Sequence, residues 1–157
     1  MLYFAYGSNL DVEMMKERCP AAVPLAKALL EGHQLGYKRW SDSWKGGVST
    51  IVPSMGQEVW GLLYEINKAD LQSLDAVEGY DPMKYKDQNA YNRDERIVFK
   101  KGDTNQPLCA WVYVAVPQGD YFRPTQSYLD SILKSAKLWD FPPAYLDSMA
   151  KVSAGKA

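Results

Sequence analysis

Two stretches of this sequence hold residues whose types and spacing suit chemistry. The first is Phe4-Ala5-Tyr6-Gly7-Ser8-Asn9-Leu10, where an aromatic, strand-like run passes through a glycine into the opening of a helix. Glycine takes backbone angles closed to other residues and lets a ligand approach the main chain closely. The first N–H groups of a helix have no internal acceptor, and the helix dipole adds positive charge there. Such a turn suits a carboxylate or a phosphate. The plainer reading, an ordinary strand-to-helix turn capped by Ser8, stays open beside it. It is not a P-loop, because neither GxxxxGK[ST] nor GxGxxG occurs.

The second stretch is a helix over residues 67–78, with Asn67 as a good N-cap and Gly79 as its stop. At about 100° per residue, Leu71 and Leu74 set its apolar stripe, and Glu78 projects between them. An acid is thus aimed where a leucine would normally point. Burial and the negative end of the helix dipole both disfavour its charge, which raises its pKa toward the range a general acid/base needs. A frayed last turn with Glu78 swung into solvent is the alternative. Asp75, at the edge of the stripe, is either a partner or exposed.

Other reactive side chains offer less. His33 is the one histidine, so HExxH is excluded, and no GxSxG elbow exists to give it a triad. It reads as a surface or half-buried residue. Cys109 opens an apolar strand and reads as a buried, inert thiol, and Cys19 before Pro20 as a helix-end residue. Tyr128 lies just inside a helix, where core packing and a hydroxyl in a cleft both fit.

The elements that would position these residues are strand-rich. Strands are expected at 2–6, 48–52 and 58–66, with a bulge at Gly61, and at 97–99 and 108–116, the last two joined as a hairpin through residues 101–105. Helices are expected from Ser8, with a capping box to Asp11, as far as Cys19-Pro20; over 67–78; after Pro124-Thr125; and after Pro142-Pro143. Strands with few helices and no regular alternation indicate an α+β fold.

The 157 residues suit a single domain, 1–157, without repeats or linkers. An apolar fraction of 46%, with 13% aromatics, argues against disorder. Eighteen basic residues against 19 acidic ones leave no excess to neutralise a nucleic acid backbone. Two distant cysteines make neither a disulfide scaffold nor a zinc site. The N-terminus has no positive flank, and the longest apolar run, 108–116, is short of the roughly 20 residues a membrane span needs. No membrane association is expected, and a cytoplasmic location is.

Taken together, these residues resemble the γ-glutamylcyclotransferase family (the γ-glutamylcyclotransferase-like, AIG2-like superfamily). The opening 2–10 resembles its YGSNL signature. Trp44-Lys45-Gly46-Gly47-Val48-Ser49-Thr50-Ile51, Glu58-Val59-Trp60-Gly61 and Leu74-Asp75-Ala76-Val77-Glu78-Gly79 follow in the family's order and spacing. The resemblance covers residues 2–79 continuously and thins afterwards. It implies a small mixed β-barrel with flanking helices. It makes Tyr6, Gly7, Ser8, Asn9 and Leu10 the loop whose main chain holds a γ-glutamyl group, Glu78 the catalytic glutamate and Tyr128 a cavity tyrosine.

The family also places a tyrosine soon after the EG pair. Tyr85 has about the right distance from Glu78, but Tyr91 opens a segment that better fits the following strand. Tyr91 is favoured, with residues 81–90 as an inserted loop expected to cover the pocket. The implied reaction cyclises γ-glutamyl amino acids or amines to 5-oxoproline, with no metal and no cofactor, on a small γ-glutamyl substrate. Relatives acting on glutathione or γ-glutamyl-amines, a non-catalytic module binding small carboxylates, and a thiol hydrolase using Cys109 are the alternatives. Monomer and homodimer are equally compatible with the sequence.

Overall fold

The computed structural model describes residues 1–152 and 154. Five strands, β1 (Leu2–Ala5), β2 (Val23–Ser41), β3 (Gly46–Glu65), β4 (Tyr91–Lys100) and β5 (Pro107–Ala115), close into a barrel in the order β1-β3-β2-β4-β5. Four helices surround it: α1 (Val12–Arg18), α2 (Lys68–Glu78), α3 (Gln126–Leu138) and α4 (Pro143–Ala150). The barrel is mixed, because β1 runs parallel to β5 while the other pairs are antiparallel.

Period-two alternation builds two cores from the same strands. Phe4, Tyr6, Ala28, Leu30, Val59, Leu63, Val98 and Val112 form one buried cluster, which fills the barrel. The residues between them, such as Tyr3, Ala5, Leu29, Leu62 and Tyr64, join Leu71 and Leu74 of α2 and Leu129 and Ile132 of α3 in the other. The second cluster seats the helices on the outer wall.

β2 and β3 form a hairpin of 19 and 20 residues that dominates the molecule. The strands expected at 48–52 and 58–66 are two parts of β3. Gly61 is not a bulge. It pairs in register with Ala28, and a Cβ there would lie 2.4 Å from the Ala5 carbonyl oxygen and 2.5 Å from the Phe4 ring. The glycine lets β1 press against β3. The register shifts fall elsewhere in the β2–β3 pairing, at or opposite Pro24/Ala26, Glu31/His33 and Gly36/Arg39 of β2.

The helix expected from Ser8 is also corrected. Ser8–Leu10 is a single 3-10 turn, and Asp11, not Ser8, caps α1 by accepting from the N–H groups of Glu13 at 3.0 Å and Met14 at 3.3 Å. α2 follows the sequence closely: Asn67 and Asp70 form a reciprocal capping box, and Gly79 ends the helix at φ 66°. Among the described residues no helix is long and apolar enough to cross a membrane.

Candidate active site

One end of the barrel gathers the termini of several elements around a cavity of about 300 Å³. β1 and the 3-10 turn bring Tyr6 to Asn9, the end of α2 brings Glu78 and Gly79, the start of β4 brings Tyr91, and the first turn of α3 brings Tyr128. Six of the seven residues assigned to substrate binding, Tyr6, Gly7, Ser8, Asn9, Tyr91 and Tyr128, thus line it together, with Leu10 the exception. Leu10 is a correction: at 1% exposure it belongs to the core below the turn and does not line the cavity.

Glu78 is half-buried in this cavity, on the same face of α2 as the buried Leu71 and Leu74. Burial pushes its carboxyl from the usual 4.5 up to about 7, against a smaller opposing pull from the Arg18 guanidinium. Tyr3, Tyr6, Tyr91 and Tyr128 all feel its charge, and burial raises each of their hydroxyls further above the usual 10. The phenols therefore stay protonated near neutral pH, and Glu78 is left as the group poised to exchange a proton.

The tyrosines are held by the main chain. Tyr128 Oη accepts from the Ser49 N–H at 2.9 Å and lies 2.8 Å from Ser49 Oγ, while Tyr91 donates to the Ser49 carbonyl at 3.1 Å. Tyr6 donates to the Tyr113 carbonyl oxygen. The turn between β2 and β3 presses the Trp44 ring edge-on to Tyr128, at 5.1 Å between centroids. Tyr85, the competing tyrosine, is 79% exposed and lies outside the cavity. Its loop is held back on itself by Asn89, which bonds to the main chain of Asp81 at 3.2 Å in both directions. Of residues 81–90 only Ala90 reaches the cavity, so the expected cover over the pocket is not what this loop forms.

Gly7 has an ordinary negative φ of −119°. What requires a glycine is space, since a Cβ would lie 2.8 Å from Ser49 Oγ and 3.3 Å from the Tyr128 hydroxyl. The N–H groups of Ser8 and Asn9 find no acceptor among the described residues, whereas those opening α1 are used by Asp11. Any oxygen bound at this turn is therefore met by the 3-10 turn and not by the α1 terminus.

Several wall residues had no role in the sequence reading. Arg18 reaches Asn9 Oδ1 from the end of α1, Asn9 Nδ2 donates to Tyr3 Oη at 2.9 Å, and Arg39 stands on β2 with one N–H on the Val116 carbonyl at 2.7 Å. Ser49 had been noticed only as part of a motif. Asp75 is taken up outside the cavity by Tyr113 and Arg93. Cys109 is exposed, not buried, because β5 turns it to the solvent face beside Glu95, with Sγ 3.0 Å from Oε2. It lies away from the cavity, and Cys19 is buried at the end of α1. No group of three or more metal-binding side chains occurs among the described residues.

A family model described as gamma-glutamyl cyclotransferase, AIG2-like, matches residues 3–137. Bovine gamma-glutamylcyclotransferase is 45% identical over 82 residues, which take in 50% of this chain and 44% of that protein. The mouse protein of the same name is 44% identical over the same extent. The match thus spans less than half the length of these curated relatives. A solved structure titled gamma-glutamyl cyclotransferase superposes with a TM-score of 0.88 at 29% identity, covering 100% of this chain and 90% of the other.

Proposed function

Because this chain belongs to the gamma-glutamyl cyclotransferase, AIG2-like family, we propose that it cyclises γ-glutamyl amino acids or amines to 5-oxoproline and releases the free amino acid or amine. The observation that carries this reading is a carboxyl group raised to about 7, set in a cavity beside unused main-chain N–H groups.

The substrate's own α-nitrogen attacks its γ-carbonyl carbon. A C–N bond forms in the ring as the bond from that carbon to the leaving nitrogen breaks. Two protons pass overall from the attacking ammonium to the departing nitrogen, with Glu78 as the carrier. A carboxyl titrating near neutrality can take a proton in one half of the reaction and return it in the other. The Ser8 and Asn9 N–H groups and the tyrosine hydroxyls are donors for substrate oxygens, including the one that gains charge during attack. The enclosed walls favour the folded glutamyl chain that brings the two reacting atoms together.

The test is 5-oxoproline release, followed by mass spectrometry, from γ-glutamyl-alanine, γ-glutamyl-glutamine, γ-glutamyl-ε-lysine and glutathione. Release that disappears in Glu78→Gln is the expected result. Ligand binding with no release from any compound would instead favour a binding module.

A further inference from the structure

The charges lining the cavity are not balanced by the protein. Arg18 and Arg39 both reach it, and among the described residues neither has a carboxylate within 4 Å. The acid lining the same cavity is Glu78, and near neutral pH its proton is half lost. Two guanidinium groups and one proton acceptor therefore face the bound molecule.

The two arginines occupy different neighbourhoods. Arg18 is bonded to Asn9, in the turn read as the γ-glutamyl cradle, and its charge acts on Glu78. Arg39 belongs to the other wall, where Trp40, Ser41 and Ser43 carry the chain into the turn between β2 and β3. Its charge acts on Tyr91 instead. One N–H is fixed on the Val116 carbonyl at 2.7 Å, which orients the planar group and leaves its other donors for a ligand. A guanidinium so held suits the paired oxygens of a carboxylate.

A γ-glutamyl α-amino acid carries two carboxylates and one ammonium. A γ-glutamyl amine carries one of each. Two guanidinium groups and a base complement the first compound and leave one cation unmatched by the second. We propose that Arg39 binds the carboxylate of the leaving amino acid, so that this protein prefers γ-glutamyl α-amino acids to γ-glutamyl amines. This inference rests on the cyclisation reading above.

The test compares γ-glutamyl-alanine with γ-glutamyl-ethylamide, which differ only by the carboxylate on the leaving group. The wild-type chain should favour the alanine compound. In Arg39→Gln, kcat/KM for that compound should fall roughly 10- to 100-fold, mainly through KM, while the ethylamide changes by no more than about twofold. Arg39→Lys keeps the charge but loses the planar fork and should retain part of the preference, which separates lost recognition from a damaged wall. Equal losses on both compounds would overturn the assignment and place Arg39 on the α-carboxylate they share. So would no loss on either. If the wild type releases 5-oxoproline from neither, the cyclisation reading fails by itself. Calorimetric binding of the same two compounds to wild type and Arg39→Gln still decides whether the arginine reads the second carboxylate.

Discussion

The hydroxyl of Tyr113 donates to Asp75 Oδ1 at 2.7 Å across 38 positions of sequence. Asp75 lies three residues before Glu78 on α2, so this bond ties the end of the helix that carries Glu78 to β5. Arg93 of β4 approaches the same oxygen at 3.5 Å, with its guanidinium stacked 4.4 Å from the Trp111 ring centroid and 5.3 Å from that of Tyr80. Asp75, read from sequence as either a partner or an exposed residue, is part of what places Glu78.

Tyr113→Phe should therefore loosen the last turn of α2 without touching Glu78 itself. Leaving a largely buried acceptor without its hydroxyl partner costs about 1–3 kcal/mol. We expect a lower urea midpoint, and a fall in kcat larger than any change in KM. An unaltered kcat in a measurably less stable variant would separate the two roles.

The acidic limb of the activity profile should report Glu78. With the carboxyl raised to about 7, its base form accumulates as pH rises through that value, so kcat/KM should climb between about pH 6 and pH 8. In Glu78→Gln the limb should vanish along with a kcat loss of about 10²–10⁴. A profile with a midpoint near 4.5 would mean that the carboxyl is not held in the environment described here.

The same elevation has a consequence for stability, with the opposite sign to that of a paired carboxylate. The folded chain holds the Glu78 proton up to about 7, whereas an unfolded chain releases it near 4.5. Stability from this group is therefore present below 4.5 and declines as pH rises through 7. The cost at higher pH is up to about 3 kcal/mol. Glu78→Gln should melt several degrees above wild type at pH 8, and the difference should close in acid. Thermal melts at the two extremes measure it.

Iodoacetamide should modify Cys109 and spare Cys19, given their exposed and buried positions. The bond to Glu95 and slight burial raise the Cys109 thiol, so labelling should be slow at neutral pH. Labelled protein should form 5-oxoproline at the unlabelled rate. A proportional loss of activity with labelling would revive a thiol mechanism.

The parts of this site that were legible in sequence are those set by local rules. Glu78 follows from helical periodicity, the end of α2 from its glycine, and α3 from its apolar spacing after Pro124-Thr125. β2 was not legible because Pro24, Gly32 and Gly36 interrupt it and three register shifts destroy the alternation by which strands are recognised. Arg18, Arg39 and Ser49 were missed for another reason. Nothing in their local sequence marks them, and only closure of the barrel brings α1, β2 and β3 to the end that carries Glu78. The shift of the first cap from Ser8 to Asp11 is a competition between two good capping residues, which spacing alone does not resolve.

The seams that close the barrel also govern when the site comes into being. β1 meets β5 at Tyr3 and Trp111, Tyr6 bonds across 107 positions to Tyr113, and Ser49 waits for Tyr128. Such pairings give a high contact order, for which the loop entropy must be lost before the contacts form, and folding in milliseconds to seconds is the usual result. During synthesis the opening strand and its glycine turn leave the ribosome long before their partners exist. The β2–β3 hairpin can form early, but the cavity cannot. Catalytic competence should therefore appear in one late step, after the chain has been made through α3, with no partially active nascent form preceding it.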